Sequence, residues 1–455
     1  MPIIKKNKQQ FLTPPRLIIF SFLMMIIIGS VLLMFPFSSR ERVFTPYIDC
    51  LFTATSATCV TGLIVYDTGT YWSLFGQIVI LVLIQFGGIG IVTFATFLNS
   101  FIGKKMNIRS LRLASESINW DEFSDIKKLL IMIFRISTSC ELIGALLLCT
   151  VFVPKHGAYG VYISVFLSIS AFCNGGFDIL GFEHEKFASL SYYADNPVVM
   201  ITIMLLITCG GLGFLVWYDL FNYRKTKRLF LHTRLVLITT GIIIFAGSLI
   251  IFILEHDNPL TMADDSLMVK ISHSIFQCVT YRTSGFNTIN LANMHDSTKL
   301  FSIIIMIIGA SPGSTGGGIK TTTFTVIVMT VISVIRNYPD TIILKRKVEK
   351  EVVYKSITIT SLFAFALIVI SCMIGLENKG SVSAVDAIFE TVSAMSTAGV
   401  SVGVTAIVDT TSKILLIIAM FLGRVGPATL AYSLTAGLEA HKKNEVIPEG
   451  KIIVG

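Results

Sequence analysis

The sequence has little charge, and so it lacks the residues that cover a water-exposed surface. Only 14% of its 455 residues are charged, whereas 53% are hydrophobic and the mean hydropathy is +0.76. A soluble protein of this length carries far more charge, and a disordered chain carries far fewer apolar residues. This composition excludes a soluble enzyme, a fibrous protein, a disordered chain and a secreted disulfide scaffold. It predicts an integral membrane protein.

Motifs for metal binding, redox chemistry and signal-peptide cleavage are also missing. The eight cysteines are scattered, without a CxxC pair or a metal-ligand spacing, and we interpret them as packing residues. The first apolar stretch, 17–35, is long for the core of a signal peptide and lacks a small-residue cleavage site. We therefore expect it to remain as the first membrane span.

Long apolar runs dominate the chain. Eight runs reach the length of about 20 residues that crosses a bilayer. They cover 17–36, 73–99, 129–153, 197–221, 235–255, 300–335, 357–376 and 413–435. Between the two members of each pair lies a shorter apolar stretch that ends in Gly, Ser, Thr and aromatic residues. These stretches predict re-entrant half-helices, because non-helical backbone is tolerated at membrane depth only inside protein or around water.

The loops that follow the four half-helices resemble one another. Each contains a glycine at the same place, and Gly62, Gly176, Gly285 and Gly399 lie 114, 109 and 114 residues apart. The third loop, counted from Thr280, is one residue shorter than the others. Four copies in one orientation predict an all-α integral membrane protein: four pseudo-symmetric span–half-helix–span units around one central pore, with eight transmembrane helices and four half-helices. The predicted units are 1–103, 104–228, 229–345 and 346–455, the last with a cytoplasmic C-terminal tail.

Four loops that meet at one axis can surround it with backbone carbonyls, which replace the hydration shell of a monovalent cation. Glycine suits such loops, because a chain that points successive carbonyls in one direction visits φ > 0. The half-helices also direct their partially negative C-terminal ends at the centre. The predicted selectivity filter comprises Cys59, Val60, Thr61, Gly62, Cys173, Asn174, Gly175, Gly176, Arg282, Thr283, Ser284, Gly285, Ser396, Thr397, Ala398 and Gly399. The predicted carbonyl ligands belong to Val60, Thr61, Asn174, Gly175, Thr283, Ser284, Thr397 and Ala398.

The sixth apolar run is interrupted by residues that break helices. Segment 309–320 contains one proline and five glycines, which disfavour a helix far more than ordinary residues do. It resembles a nucleotide-binding P-loop, but Ile319 separates the last glycine from Lys320 and an apolar span precedes it, so we reject nucleotide binding. A break at this depth must line a cavity and predicts a gate below the filter, the alternative being a packing defect. The predicted gate residues are Gly309, Ala310, Ser311, Pro312, Gly313, Ser314, Thr315, Gly316, Gly317, Gly318, Lys320 and Arg424.

Several charged residues lie within or beside the apolar segments. Arg424 is inside the last run, where a central charge costs about 2.5–3.5 kcal/mol. We expect it to donate to carbonyls of the broken segment and to form a barrier to cations, the alternative being snorkelling to the cytoplasmic interface. Arg282 would repel cations on the axis, so we expect its side chain behind the filter, with Glu390 as a candidate partner. Asp67 and Asp178 follow the first two loops and could concentrate cations at the mouth.

Two glycine clusters and one pair of charged residues within the spans have structural interpretations. The glycine clusters at 87–90 and 210–213 are read as small helix faces or bends rather than fragments of a dinucleotide-binding motif. Glu141 and Arg135 lie on one span, either as a structural pair or as two residues that snorkel separately.

The distribution of basic residues predicts the membrane orientation. Of 36 Lys and Arg, 24 fall in the five segments 1–16, 104–128, 224–234, 336–355 and 441–455. These segments share one side if two spans separate each from the next, which is the positive-inside pattern and places both termini in the cytoplasm. The net charge of +8 is thus explained by topology, and nucleic acid is not expected as a partner.

Taken together, these residues resemble the Trk/Ktr/HKT superfamily of potassium transporters, and the chain is most similar to the membrane subunit of the bacterial Ktr system. The resemblance covers nearly the whole chain and rests on the four filter glycines, the segment 311–320 and the run 423–427 around Arg424. It implies uptake of K⁺ across the bacterial cytoplasmic membrane, often stimulated by Na⁺, with no organic cofactor in this chain. It also implies a gate in the third unit opposed by Arg424. The partners it implies are membrane lipid, a second copy in a homodimer, and a ring of separate cytoplasmic nucleotide-binding regulatory subunits.

Two other classes of membrane protein share some of these features. A secondary transporter for a small organic solute also uses broken helices at mid-membrane, but it usually shows inverted repeats and binding side chains. The repeats here read in the same sense. A membrane-embedded enzyme needs a nucleophile, a base or a metal cluster within its spans, and the sequence offers none, so no enzymatic activity is expected.

Overall fold

The computed structural model describes residues 14–90, 126–183 and 185–426, and this part of the chain is almost entirely α-helical. The helices are α1 (Pro14–Met34), α2 (Tyr47–Thr58), α3 (Thr68–Tyr71), α4 (Leu74–Ile89), α5 (Ile126–His156), α6 (Ala158–Phe172), α7 (Pro197–Gly211), α8 (Phe214–Thr226), α9 (Leu231–Glu255), α10 (Leu267–Thr280), α11 (Asp296–Ile307), α12 (Thr321–Ile335), α13 (Lys350–Glu377), α14 (Ala384–Met395), α15 (Val404–Ile407) and α16 (Thr410–Val425). A short antiparallel hairpin of β1 (Ile342–Ile343) and β2 (Arg346–Lys347) lies between α12 and α13.

Some predictions fall outside the described residues. They concern both termini, the C-terminal tail from 427, the basic segment 104–125, and the far ends of the predicted runs 73–99 and 413–435.

Four of the described helices are long and apolar enough to cross a membrane on their own. These are α1, α5, α9 and α13, which correspond to the first span of each predicted unit. Four further helices, α2, α6, α10 and α14, contain 12 to 15 residues and follow them along the chain. A helix of this length rises about 20 Å and is too short to cross the hydrocarbon core. They correspond to the predicted half-helices.

Each half-helix packs against the first span of its own unit and against the second span of the preceding unit. The latter contacts are α4 with α6, α7 with α10, α11 with α14, and α16 with α2. Because the last helix packs against the first half-helix, the contacts close into a ring.

The sequence shows where the helices after the half-helices begin. Ser73, Asn196 and Asp409 precede α4, α7 and α16, and each side chain accepts a hydrogen bond from a backbone N–H of the first helical turn. Such capping satisfies N–H groups that have no partner within the helix. The loops after these half-helices are thus followed by helices with defined starting points.

One predicted span is not straight. The run 197–221 forms α7 and α8, which are bent by 93° at residues 212–213. The backbone N–H of Phe214 donates to the carbonyl oxygen of Gly313 at 2.8 Å, and a Cβ on Gly213 would lie 2.6 Å from the carbonyl oxygen of Pro312. The bend therefore accommodates the segment 309–320. The sequence around the bend does not predict this contact.

The run 300–335 is interrupted where the sequence predicts a break. Helix α11 ends at Ile307 and α12 begins at Thr321. The two ends of the intervening segment are joined by a bridge between Ile308 and Ile319, with the N–H of Gly309 donating to Ile319 at 2.9 Å. The segment is therefore a compact loop rather than an extended linker.

Candidate ion pathway

The loops after the four half-helices share a backbone conformation that is rare for residues with side chains. In each loop the glycine and the residue two positions before it have positive φ. The φ angles are 56° and 98° at Val60 and Gly62, 60° and 71° at Asn174 and Gly176, 72° and 87° at Thr283 and Gly285, and 52° and 77° at Thr397 and Gly399. A left-handed non-glycine residue costs about 1–3 kcal/mol and persists only where its surroundings hold it. The repetition shows that the four loops have equivalent geometry.

The four glycines lie against one another near a single point. A Cβ on Gly176 would lie 2.7 Å from the Cα of Gly285, and one on Gly62 would lie 3.4 Å from the same atom. A Cβ on Gly399 would lie 3.0 Å from the Cα of Gly285 and would overlap the carbonyl oxygen of Thr61. Backbone from all four loops therefore meets where no side chain fits.

Each loop is fixed to the end of its half-helix by a backbone hydrogen bond from the residue before the glycine. The bonds run from Thr61 to Ser56 at 2.8 Å, from Gly175 to Ser170 at 2.6 Å, from Ser284 to Thr280 at 2.9 Å and from Ala398 to Ser393 at 2.8 Å. The third bond spans four residues and the others span five. The missing residue of the third loop is thus accommodated at this turn, and Gly285 still reaches the other glycines.

The side chain of Arg282 lies behind the third loop, as the sequence predicts, but the predicted partner is wrong. Arg282 is only 7% exposed and donates from Nη2 to Oγ1 of Thr240, in α9, at 3.3 Å. Glu390 instead accepts from Ser401 Oγ at 2.7 Å and from the backbone N–H of Thr405 at 3.0 Å. The carboxylate thereby ties the chain that leaves the fourth loop to its own half-helix, which explains why it is unavailable to Arg282.

A cavity of about 590 Å³ opens on the side where the chain leaves the loops, and we call it the mouth. All four glycines line it, together with Asp178. Burial, followed by repulsion from Asp67, raises the pKa of Asp178 to about 7. Asp178 lies in the connection between α6 and α7, outside the spans.

The prediction that Asp67 serves the mouth is wrong. Asp67 is 4% exposed and accepts from the backbone N–H of Thr70 at 2.8 Å and of Phe187 at 3.0 Å. Its hydrogen bonds cap α3 and fix a neighbouring connection, so it does not line the mouth and acts on it only through its charge beside Asp178.

On the side opposite the mouth, segment 309–320 lies directly against the loops that follow the half-helices. The backbone N–H of Gly317 donates to Thr397 Oγ1 at 3.0 Å, and a Cβ on Gly316 would overlap Thr283 Oγ1. Within the segment, Lys320 Nζ donates to the carbonyl oxygen of Gly316 at 2.6 Å. The segment thus contacts two of the loops and is held together by its own polar groups.

Arg424 joins the segment to the end of α4. Its Nη1 donates to the carbonyl oxygen of Thr315, and its Nη2 donates to the carbonyl oxygens of Gly87 and, at 3.2 Å, of Gly88. The predicted hydrogen bond to a carbonyl of the broken segment is therefore present. The additional acceptors on α4 were not predicted.

The two glycine clusters provide acceptors as well as close packing. A Cβ on Gly87 would overlap the carbonyl oxygen of Thr58, as one on Gly210 would overlap that of Phe172, so both spans touch half-helix ends. The carbonyl oxygen of Gly210 also accepts from the N–H of Thr315 at 3.3 Å. In the sequence, the two clusters occupy the second spans of units one and two. That position does not indicate which groups the glycines contact.

Glu141 contacts the second loop, where Cys173 Sγ lies 3.9 Å from its Oε1, and it does not contact Arg135. It accepts from Gln85 Nε2 at 3.0 Å and from Ser137 Oγ at 2.9 Å, and Cys173 Sγ donates to Gln85 Oε1 at 3.4 Å. Arg135 is exposed on the same helix. Neither alternative holds for Glu141: it is not paired with Arg135, and its carboxylate is bonded inside the protein instead of snorkelling to the interface.

Comparison with known proteins agrees with this architecture. Residues 6–444 match the TrkH family, described as a cation transport protein. The chain is 38% identical to the Ktr system potassium uptake protein B of Bacillus subtilis, over 97% of both chains, and 33% identical to the potassium/sodium uptake protein NtpJ of Enterococcus hirae, over 100% of both. Its fold is similar to the crystal structure of the potassium transporter TrkH from Vibrio parahaemolyticus, with a TM-score of 0.71 and 19% identity over 95% of this chain and 87% of that one. The chain therefore belongs to the TrkH family of cation transport proteins.

Proposed function

We propose that this protein takes up K⁺ through a filter of backbone carbonyls at the meeting point of the four loops. The observation that carries the proposal is the contact of Gly62, Gly176, Gly285 and Gly399, each with positive φ. K⁺ would replace its hydration shell with the carbonyl oxygens of Val60, Thr61, Asn174, Gly175, Thr283, Ser284, Thr397 and Ala398. The half-helix ends add partial negative charge.

The ring of helix contacts supports four span–half-helix–span units around this one pathway. The contact of α16 with α2 brings the last unit beside the first, as a closed fourfold arrangement requires. An organic solute would need side-chain ligands near the centre, whereas backbone atoms occupy that position here. Selectivity for K⁺ rather than for an organic molecule is the simpler account.

Segment 309–320 and Arg424 form the proposed gate. The segment lies on the pathway opposite the mouth, and Arg424 fixes it to α4 through Thr315, Gly87 and Gly88. The guanidinium also places a positive charge beside the path, which opposes a cation. Opening would require the segment to leave these partners, and its glycines allow that change of backbone conformation.

Control by a separate cytoplasmic subunit and assembly as a homodimer complete the proposal. Two relatives are named as parts of a Ktr system, which supports additional subunits. The connections of this chain are too short for a regulatory domain, and their basic residues favour a cytoplasmic location for them. The purified chain alone is expected to leak weakly without nucleotide control. Strong nucleotide-dependent flux from this chain by itself would contradict the regulatory part.

The transport proposal is tested by uptake of ⁸⁶Rb⁺ into proteoliposomes that contain the purified chain and an outward K⁺ gradient. Excess external K⁺ should suppress uptake, whereas equal Na⁺ or a mixture of amino acids and sugars should suppress it much less. If Na⁺ and K⁺ suppress ⁸⁶Rb⁺ uptake equally, the proposal that the pathway selects K⁺ is wrong. Uptake of labelled solutes without ⁸⁶Rb⁺ flux would favour the organic-solute alternative.

A further inference from the structure

A second large cavity lies on the side of the molecule, between the first two units. Its volume is about 1100 Å³, and its lining comes from the connection after α1 and from the first turns of α4 and α6. The apolar and aromatic part of the lining consists of Pro36, Phe37, Leu74, Ala158, Tyr159 and Tyr162. These elements lie at the mouth end of the helices, because α2 re-enters from the side where α1 ends.

Two arginines, Arg40 and Arg42, line the same cavity. Both are exposed, and neither forms an ion pair with a carboxylate of the residues that the structure describes. Their backbones are fixed, since the N–H of Arg40 donates to Tyr71 at 2.9 Å and that of Arg42 donates to Ser39 at 3.3 Å. Glu41 lies between them in sequence but does not line the cavity. The site therefore presents two guanidinium groups that form no ion pair within the described residues, on an ordered support.

The position of these arginines calls for a reason beyond transport. The basic segments 224–234 and 336–355 lie at the other end of the helices, and a positive charge beside the mouth does not attract cations. Phe37 lines the cavity with the pair and is exposed, Phe44 follows the pair in sequence and is exposed too, and ring centroids of Phe37 and Phe75 lie 4.9 Å apart. Aromatic residues gather at the membrane–water interface, so the guanidinium groups lie at the level of lipid headgroups.

We propose that this cavity binds an anionic glycerophospholipid of the mouth-side leaflet. The lipid phosphate would accept hydrogen bonds from Arg40 and Arg42, because guanidinium groups match phosphate oxygens in charge and geometry. An acyl chain would lie along Phe37, Leu74 and Tyr162. Charge complementarity favours an anionic lipid over a zwitterionic one, and the apolar wall favours a lipid over free phosphate.

The test is native mass spectrometry of the full chain in detergent with equimolar phosphatidylglycerol and phosphatidylcholine of identical acyl chains. The parent should retain phosphatidylglycerol preferentially. The R40Q/R42Q variant should lose about 30-fold in its affinity, about fivefold for each arginine, as expected for basic residues near an anionic surface. The Lys379→Gln variant removes an exposed basic residue outside the cavity and should behave like the parent.

Three outcomes would overturn the proposal. One is equal retention of phosphatidylglycerol by the parent and by R40Q/R42Q. Another is displacement of the lipid by millimolar glycerol phosphate, which would identify a free-phosphate site. A third is loss of a dimer, without any lipid difference, which would make the cavity a contact between copies. The R40K/R42K variant, which keeps the charge, guards against misfolding and should retain a preference for phosphatidylglycerol over phosphatidylcholine.

Discussion

Lys413 in α16 donates a hydrogen bond to Asp49 in α2 at 2.7 Å, although 364 residues separate them. A second pair, Lys299 in α11 and Asp386 in α14, has the same arrangement at 2.9 Å. Each lysine is the fourth residue of its helix, and each aspartate lies 13 residues before the glycine of its unit's loop, Gly62 or Gly399. The pairs therefore join neighbouring units at equivalent positions, and the first of them links the end of the ring to its beginning.

Removing Lys413 should destabilise the protein. The side chains of Lys413 and Asp49 are 15% and 6% exposed, and breaking a buried ion pair from one side costs about 3 kcal/mol or more. We expect Lys413→Met to lower the thermal unfolding midpoint in detergent, while the exposed Lys379→Met variant leaves it unchanged. The double variant K413M/D49N should recover much of the loss. An unchanged midpoint in Lys413→Met would show that the pair does not hold the ring together.

Replacing Gly62 by serine should weaken the preference for K⁺. A Cβ at this residue would meet the backbone of Gly176 at 3.1 Å, and its φ of 98° is strained for any L side chain. We expect the K⁺/Na⁺ flux ratio to fall by about tenfold, or about 1.4 kcal/mol of discrimination. Gly380→Ser is the matched control, since Gly380 has a φ of 88° and nothing within 4 Å of a Cβ. A preserved ratio in Gly62→Ser would exclude this loop from the filter.

Arg424→Ala should increase K⁺ flux severalfold. The substitution removes the donor to Thr315 and the positive charge beside the path, and removing a barrier speeds conduction. Deletion of residues within 311–317 should have the same sign. The exposed Arg336→Ala variant serves as a control, and ⁸⁶Rb⁺ flux normalised to the amount of reconstituted protein is the measurement. Lower flux in both gate variants, with normal membrane insertion, would assign the segment and the arginine to packing or ion binding.

Flux through the mouth should depend on pH near neutrality. The pKa of Asp178 is raised to about 7, so its carboxyl is largely neutral at lower pH and charged at higher pH. A charged carboxylate concentrates cations, and the half-saturating Rb⁺ concentration should fall as pH rises through about 7. The sign for stability is opposite: the folded state holds this proton more tightly than the unfolded chain, so stability is lost as pH rises through the same range. Asp178→Asn should flatten both dependences, and an unchanged pH profile of half-saturation would remove Asp178 from the mouth.

Local sequence determined the helices, the positions of the four loop glycines and the break. These features can be recognised without the fold, because they depend on nearby residues. They are the apolar runs, the period set by four glycines, and the segment rich in glycine and proline. The resemblance based on them identified the family, which the match over residues 6–444 shows. The sequence indicates these loops but not the left-handed conformation two positions before each glycine, because the residues there, Val60, Asn174, Thr283 and Thr397, do not share one side-chain type.

Only the tertiary structure decided which distant groups meet. The partners of Arg424 lie in α4 and in the broken segment, the partner of Arg282 is Thr240 rather than Glu390, and Lys413 reaches Asp49 across the whole chain. The bend between α7 and α8 likewise depends on Gly313 and Pro312 of another unit. Composition and spacing report the cost of leaving a polar group unpaired in the membrane. They do not report which group satisfies it, because that depends on how the helices pack.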